Sequence, residues 1–279
     1  MENKRKYKIV ASDLDGTLLN KEQTISEENF RAISEMTRLG VEFVPTTGRG
    51  MNEIEPSLIK FPDIRYIIAS DGAVVYDTKI GKPIFTRYIP QDAVRLVMDA
   101  IRPHNVFIVP HEGGKTYFDQ NQYNPEFMNI CGVNPYNGTI IRQHAEAVED
   151  IESYLLASNE VEMIALFFES DEVLHSCKQM FEDSGKLCAM HPGTLNYLEV
   201  YSSDAGKGKT LAAFVETLGV DIADVIAVGD SNNDSSMIKE AGLGLAVANA
   251  CDALKELADQ TICDHSEHIA KYVLENFII

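Results

Sequence analysis

Basic residues are scarce in this chain of 279 residues: 24 Lys and Arg face 43 Asp and Glu, which gives a formal net charge of −19. Nucleic-acid binding requires a cationic surface that meets the phosphates, so this balance argues against nucleic acid as a partner. The same charge opposes binding to an anionic membrane surface. No apolar run approaches the roughly 18 residues that a membrane-spanning helix needs, so we expect no membrane partner.

Cysteine is also sparse, with an odd number of five residues and no CxxC spacing. This pattern predicts free thiols in a reducing compartment rather than a disulfide or zinc framework. Behind the basic stretch Lys4-Arg5-Lys6, the apolar run is limited to Ile9-Val10-Ala11 and acidic residues follow, so no export signal is expected. We therefore predict a cytoplasmic protein, and the lack of an evident apolar surface stripe favours a monomer.

Two common catalytic patterns are missing from the chain. It contains no GxSxG nucleophile elbow and no HExxH zinc motif, which argues against serine hydrolases and zinc proteases of those types. The seven histidines show no metal-ligand spacing. No internal repeat, low-complexity tract or flexible linker interrupts the sequence.

Short apolar runs alternate with segments of helical periodicity, which is typical of an α/β fold. A helix is predicted to begin after Ser26 and to end at Gly40, and a second one covers Lys209–Leu218. We predict a Rossmann-like, doubly wound core with a parallel sheet. Its predicted strands are Tyr7–Ser12, Val41–Val44, Tyr66–Ala69, Val225–Val228 and Leu243–Ala248.

The middle of the chain has the mixed pattern of an independent α+β unit. We predict that residues 87–196 form this unit, inserted into a discontinuous core of residues 1–86 and 197–279. Its predicted strands are Val106–Val109 and Met163–Phe168, with a further strand, Tyr197–Val200, just beyond it. Its predicted helices are Gln91–Ile101, Glu146–Ala157 and Glu172–Asp183.

The first chemical motif, Asp13-Leu14-Asp15-Gly16-Thr17, directly follows the first predicted strand. In an extended segment, residues two apart share a face, so Asp13 and Asp15 point the same way. Two adjacent carboxylates repel each other unless a cation lies between them, and hard oxygen ligands suit Mg²⁺. An Asp-Gly turn after a strand is common by itself, so the metal interpretation depends on a second acidic cluster.

That second cluster is Gly229-Asp230-Ser231-Asn232-Asn233-Asp234, again at a strand end. It imitates the start of an EF-hand calcium loop, which requires Gly at the sixth position and Glu at the twelfth. Ser235 and Ala241 occupy those positions, so the calcium interpretation fails. Together with the first motif, the cluster predicts the other half of a metal site.

A third motif, Gly206-Lys207-Gly208-Lys209-Thr210, precedes a predicted helix. It resembles the end of a nucleotide-binding P-loop, but the required first glycine falls at Ser203. We favour Lys207 as a point charge aimed at a phosphate, and nucleotide binding remains the alternative. A fourth motif, Thr46-Thr47-Gly48-Arg49, offers a hydroxyl and main-chain N–H groups for phosphate oxygens.

Taken in chain order, the four motifs resemble those of the haloacid dehalogenase-like superfamily: Asp13–Thr17, Thr46–Arg49, Lys207-Gly208 and Gly229–Asp234. The position of the insert resembles the Cof-type, class IIB phosphatases, and so do three tail segments: Met237, Ala241-Gly242 and Asn249-Ala250. The resemblance implies a phosphatase with an inserted cap. The segment His111–Lys115 is a candidate for the face of the cap that contacts substrate, and a surface hairpin is an equal alternative.

The resemblance also implies the catalytic roles. Asp13 would be the nucleophile that forms an aspartyl-phosphate, and Asp15 would be the general acid and base. Mg²⁺ would be held by Asp13, by the main-chain carbonyl of Asp15 and by Asp230.

The same resemblance implies a phosphate cradle. Thr47 and Lys207 would bind the phosphate, together with the main-chain N–H groups of Leu14 and Gly48, and Arg49 would add positive charge. Local cations are needed because the net charge of −19 opposes long-range attraction of an anion.

Residues around the cradle complete the expected site. Asn233 and Asp234 would contact substrate or orient the inner groups, and Asp234 would act on a metal-bound water or on Lys207. Two positions depart from the pattern of the superfamily: Asp71 stands where Asn is usual, and His268 stands where Gly is usual.

The function expected from these residues is Mg²⁺-dependent hydrolysis of small phosphomonoesters, such as sugar phosphates, with a small phosphorylated metabolite as the partner. Two alternatives remain open. One is phosphoryl transfer to a second sugar, as in a phosphomutase of the same superfamily. The other is a regulator that binds a phosphometabolite without turnover.

Overall fold

The structure is a computed structural model that describes residues 7–190 and 196–279. The Lys4–Lys6 stretch and His191, one of the histidines considered above, lie outside the described residues. The strands are β1 (Ile9–Ser12), β2 (Glu42–Pro45), β3 (Tyr66–Ala69), β4 (Val74–Asp77), β5 (Lys82–Thr86), β6 (Val106–Glu112), β7 (Lys115–Asp119), β8 (Glu146–Val148), β9 (Val161–Phe168), β10 (Leu187–Met190), β11 (Tyr197–Ser202), β12 (Val225–Gly229), β13 (Leu243–Ala246) and β14 (Gln260–Thr261).

The helices alternate with these strands along most of the chain. They are α1 (Glu27–Arg38), α2 (Pro56–Ile59), α3 (Gln91–Ile101), α4 (Pro125–Ile130), α5 (Pro135–His144), α6 (Ile151–Ala157), α7 (Asp171–Asp183), α8 (Lys207–Thr217), α9 (Ser235–Glu240), α10 (Asp252–Leu257) and α11 (Ile269–Val273). None of the helices in the described ranges is both long and apolar enough to cross a membrane. No disulfide joins any of the five cysteines, all of which lie in the described residues.

The chain divides into two compact units. The core unit contains the residues up to Gly48, Glu55–Phe85 and Gly206–Ile279. The inserted unit contains Arg49–Ile54 and Thr86–Ala205, so it extends beyond the predicted boundary at residue 196. The extension follows from the sheet of the inserted unit, because β11 pairs with β9 and β10 there.

The core unit is built on a parallel sheet with the strand order β14-β13-β12-β1-β2. An isolated parallel bridge from Thr46 to Ile68 adds β3, which also begins a three-stranded sheet with β4 and β5. Every residue of β1 and of β12 is buried, as expected for central strands of a sheet covered on both faces. The predicted α/β class with a parallel-sheet core is therefore confirmed.

Local signals explain the helix that follows the first motif. The Ser26 hydroxyl accepts a hydrogen bond from the Asn29 N–H and caps α1. Ile33 and Met36 are fully buried on its inner face. Gly40 has a φ of 80° just after the helix, a conformation that glycine adopts at little cost.

The inserted unit is built on a six-stranded sheet with the order β10-β11-β9-β6-β7-β8. Its pairs are antiparallel except β7 with β8. The prediction of one helix over Glu146–Ala157 is wrong in its first part, because Glu146–Val148 forms β8 and pairs with β7. The Asp150 carboxylate then accepts a hydrogen bond from the Ser153 N–H and starts α6. The predicted helix therefore forms only after residue 150.

The segment His111–Lys115 connects β6 to β7. Glu112 pairs with Lys115 and His111 pairs with Thr116, so the segment is a hairpin. His111 is nevertheless buried, with 4% of its surface exposed.

Candidate active site

Three strand ends of the core sheet bring the motifs together. Ser12, the last residue of β1, lies beside Pro45 of β2 and Val228 of β12 in the parallel register. The Asp13 N–H donates to the Val228 carbonyl at 2.9 Å, and the Thr46 N–H donates to the Ser12 carbonyl at 2.8 Å. The first, second and fourth motifs therefore begin at the same edge of the sheet.

The turn after β1 depends on Gly16. This residue has a φ of 73°, and a Cβ placed on it would lie 2.3 Å from Asp230 Oδ2. The backbone of the turn thus lies directly against the Asp230 carboxyl, which no larger residue would allow. Asn249 also stabilises this turn, because its side-chain amide donates a hydrogen bond to the Gly16 carbonyl at 2.7 Å.

Lys207 opens α8 and lies between two carboxylates. Its Nζ donates to Asp13 Oδ1 and to Asp234 Oδ1, each at 2.7 Å. All three side chains are buried, with exposed side-chain fractions of 1% for Lys207, 6% for Asp13 and 0% for Asp234. Lys209, the other lysine of the motif, is exposed.

Burial and charge act against each other in this cluster. Burial alone lowers the pKa of the Lys207 ammonium, but Asp13, Asp234 and Asp71 raise it more, so its pKa lies well above its usual value. Burial raises the pKa of the Asp13 carboxyl well above its usual range, even though Lys207 lowers it. The other carboxylates, Asp234 and Asp230 among them, raise it further. The cluster thus holds more negative charge than one ammonium balances.

Asp234 shapes the loop that carries Asp230. Its Oδ2 accepts hydrogen bonds from the N–H groups of Asp230 at 2.9 Å and Ser231 at 3.0 Å, while its Oδ1 accepts from Lys207. Gly229 leaves room for this fold, because a Cβ there would lie 2.5 Å from Asp234 Cβ. Of the two contacts expected for Asp234, the one to Lys207 is present.

The acidic residues also form a possible cation site. Carboxylate oxygens of Asp13, Asp230 and Asp234 lie within 4.8 Å of one another. Asp13 Oδ2 is buried and finds no hydrogen-bond partner among the described residues. Burial, followed by the charge of Asp234, raises the pKa of Asp230 to about 7. A divalent cation would offset the repulsion among these carboxylates, and their hard oxygens suit such an ion.

The remaining residues of the predicted phosphate cradle differ in their burial and in their hydrogen bonds. Thr47 is buried and its N–H already donates to the Ile68 carbonyl at 2.8 Å, whereas Gly48 is half-buried. The side chain of Leu14 is buried in the core. Arg49 belongs to the inserted unit, where its guanidinium donates to the Glu53 carbonyl at 3.1 Å.

Two contributors to the site were not predicted from the sequence. The Asn233 amide donates to Asp71 Oδ1 at 3.0 Å, and Asp71 is buried with 1% of its surface exposed. Asp71 was noticed only as a departure from a pattern, and no local signal linked it to Asn233. His265 is the second contributor, because it partly opposes the rise in the pKa of Asp230 that burial and Asp234 cause.

Comparison with known proteins places the chain in a family. The family model for haloacid dehalogenase-like hydrolases matches residues 10–273. The chain is 27% identical to Phosphatase YwpJ of Bacillus subtilis, over 97% of this chain and 100% of that protein. It is 28% identical to the 5-amino-6-(5-phospho-D-ribitylamino)uracil phosphatase YwtE of the same organism, over 97% of this chain and 98% of that protein.

The fold comparison agrees with the sequence comparison. A solved haloacid dehalogenase-like hydrolase from B. subtilis superposes with a TM-score of 0.81 and 25% identity, covering 96% of this chain and 99% of that one. The match of the family model spans nearly the whole chain and includes all four motifs. The chain therefore belongs to the haloacid dehalogenase-like hydrolase family, as its motifs predicted.

Proposed function

We propose that this chain is a Mg²⁺-dependent phosphatase that hydrolyses small organic phosphomonoesters through an aspartyl-phosphate on Asp13. The observation that carries the proposal is the state of the Asp13 carboxylate. One of its oxygens is fixed by Lys207 at 2.7 Å, and the other is buried without a hydrogen-bond partner in the described part of the chain. A carboxylate held by one oxygen presents the other in a defined direction, which is what a nucleophile needs.

The first half-reaction transfers the phosphoryl group to the enzyme. An oxygen of Asp13 attacks phosphorus, the bond between phosphorus and the ester oxygen breaks, and Asp15 gives its proton to the departing alcohol. Asp15 suits this role because the turn after β1 leaves it partly exposed, whereas Asp13 is buried. The two carboxyls thus have different environments within one short motif.

The second half-reaction releases phosphate. Asp15, now ionised, takes a proton from water, the water oxygen attacks phosphorus, and the bond to Asp13 breaks. Inorganic phosphate and the free Asp13 carboxylate result, so the enzyme returns to its starting state. Lys207 stays charged throughout, because the surrounding carboxylates raise its pKa.

Asp13, Asp230 and the main-chain carbonyl of Asp15 would hold the Mg²⁺. When bound, the ion supplies positive charge that offsets the charge developing on the phosphoryl oxygens. Asp234 keeps the Asp230 loop in place through two main-chain hydrogen bonds, and it orients Lys207. Uncatalysed phosphomonoester hydrolysis is so slow that enhancements reach ~10²¹. Nucleophile, acid, cation and lysine are therefore all expected to contribute.

The family supports the proposed substrate class, because relatives of this chain are named phosphatases. One relative is named for the phosphate ester of a ribitylamino-uracil, a small polyhydroxylated metabolite. We extend the class, and not that particular compound, to this chain, and we include sugar phosphates. The inserted unit, which in sequence separates the Thr46–Arg49 motif from the Gly206–Thr210 motif, would act as the cap that selects the organic part.

A metal titration of purified protein tests this proposal. After exhaustive chelation, initial rates are measured on a panel of sugar, polyol and aryl phosphates as Mg²⁺ is added back. We expect no activity without the ion, saturable activity with Mg²⁺, and inhibition by Ca²⁺. Calcium accepts longer bonds and more ligands, about 2.3–2.6 Å against about 2.0–2.1 Å for Mg²⁺. Full activity in the chelated protein, or binding of phosphate esters without any turnover, would contradict the proposal.

A further inference from the structure

Two consecutive residues after β3 adopt a backbone conformation that residues other than glycine rarely adopt. Ser70 and Asp71 each have a φ of 50°, in the left-handed region. Asp tolerates this region better than most residues, but such backbone strain persists only where the surroundings enforce it. The turn lies in the core unit, and so do the contacts that hold it in this conformation.

The backbone of this turn is bound to two motifs. The Asp71 N–H donates to the Thr47 carbonyl at 3.1 Å, which links it to the fourth motif. The Gly72 carbonyl accepts from the Thr210 hydroxyl at 2.7 Å, which links it to the helix that begins with Lys207. Gly72 also packs against the chain at Gly206, since a Cβ there would lie 2.6 Å from the Gly206 carbonyl oxygen.

The side chain of Asp71 contacts the second motif, which also contains Asp230. Its Oδ1 accepts a hydrogen bond from the Asn233 amide at 3.0 Å, across 162 positions of sequence. Asn233 lies in the turn Asn232–Asp234, whose last residue holds the N–H group of Asp230. The path from Asp71 to the proposed Mg²⁺ ligand Asp230 therefore consists of one side-chain hydrogen bond and one short turn.

The other carboxylate oxygen of Asp71 lacks such a contact. Within residues 7–190 and 196–279, Oδ2 is buried and has no hydrogen-bond partner. A buried acceptor without a donor is costly, so this carboxylate is not explained as a stabiliser of the fold. Its bond to Asn233 and its charge near Lys207 are the contributions that remain.

We propose that Asp71 is a positioning residue that fixes the loop of Asp230 for Mg²⁺ through its hydrogen bond to Asn233. This inference rests on the proposed function only in naming Mg²⁺ as the ion. Groups that orient metal ligands typically change metal affinity about 10–100-fold when removed. Asp71 would do so from a strand end that carries none of the metal ligands themselves.

The test is Mg²⁺ binding to the metal-free protein, measured by titration calorimetry without substrate. Asp71→Ala and Asn233→Ala are each expected to weaken Mg²⁺ binding about 10-fold, and the double variant should bind no more weakly than Asp71→Ala alone. Asp71→Asn should stay within about 3-fold of the wild type, because an amide oxygen can accept the same hydrogen bond. The amide NH₂ group would then take the place of Oδ2, where no donor is present.

Three results would overturn the inference: unchanged Mg²⁺ affinity in Asn233→Ala, additive losses in the double variant, or a loss in Asp71→Asn as large as in Asp71→Ala. Asn233 is half-buried, so its replacement tests the bond even if Asp71→Ala does not fold. Thermal unfolding of each variant separates a general loss of stability from a specific loss of Mg²⁺. Wild-type protein that binds no Mg²⁺ would also overturn the inference. Protein that shows the expected affinities but hydrolyses no ester would overturn the proposed function alone.

Discussion

Lys207 and Asp13 form a buried ion pair, with 2.7 Å between Nζ and Oδ1, although 194 positions of sequence separate them. The same ammonium lies 2.7 Å from Asp234 Oδ1. Lys207 therefore links the strand end of the proposed nucleophile to the loop of the proposed metal site.

Asp13→Asn should abolish turnover and leave the protein folded. The amide is nearly isosteric and its oxygen can still accept from Lys207, but it cannot attack phosphorus to form the acyl phosphate. The measurement is the phosphatase rate beside a thermal unfolding curve. Wild-type activity in the folded variant would remove Asp13 as nucleophile.

Asp15→Asn should slow hydrolysis about 10²–10⁴-fold, because general acid and base catalysis is lost. In the first half-reaction, the loss should be smaller for an aryl phosphate, whose alcohol leaves without help, than for an alkyl phosphate. Single-turnover rates of the two esters give the comparison. Equal losses when phosphorylation of the enzyme limits the rate would mean that Asp15 is not the acid.

Lys207→Ala should lower the free energy of unfolding by about 3–5 kcal/mol and abolish activity, because removing one member of a buried ion pair leaves uncompensated charge. Lys209→Ala is the matched control from the same helical turn. Lys209 is exposed, and surface substitutions usually stay within about 0.5 kcal/mol. Urea unfolding and phosphatase rates test both variants. If Lys209→Ala instead lost affinity for ATP, the nucleotide-binding alternative would gain support.

The stability of the metal-free protein should fall as the pH rises from about 5 to about 7. Burial and Asp234 raise the pKa of Asp230 to about 7 in the folded state, whereas an unfolded Asp titrates near 3.9. In this window the folded state binds a proton that the unfolded chain does not, so lower pH favours folding. The raised pKa of Asp13 acts in the same direction.

Asp230→Asn should flatten that pH dependence, since the amide does not titrate. Urea unfolding in the presence of a chelator, at several pH values across the window, makes the comparison with the wild type. An identical slope in both proteins would show that Asp230 does not keep its proton on folding.

The layout of the core followed from local patterns, because each strand near the site is a short apolar run that ends in polar residues. Tyr66–Ala69 has the predicted bounds, and β1 and β12 lie within two residues of theirs. The inserted unit was harder to predict. Glu146–Val148 has no local signal that distinguishes it from the helix after it, and its strand pairing with β7 depends on residues far away in sequence.

The site shows the same division between local and distant information. The sequence singled out Asp13, Asp230 and Lys207 because motifs at strand ends carry them. It did not reveal that Lys207 Nζ divides its hydrogen bonds between two carboxylates, since that depends on where α8 begins relative to β1 and β12. The hydrogen bond between Asp71 and Asn233 was also beyond prediction, because it joins loops that only the tertiary fold brings together.

The most direct test of the account is detection of the phosphoryl group on Asp13. Protein with Mg²⁺ is mixed with a phosphate ester, quenched in acid within a single turnover, digested with pepsin and examined by mass spectrometry. The account predicts a transient phosphopeptide that contains Asp13, absent in Asp13→Asn and longer-lived in Asp15→Asn. Release of phosphate with no phosphopeptide at any time, or with the phosphoryl group on another residue, would contradict it.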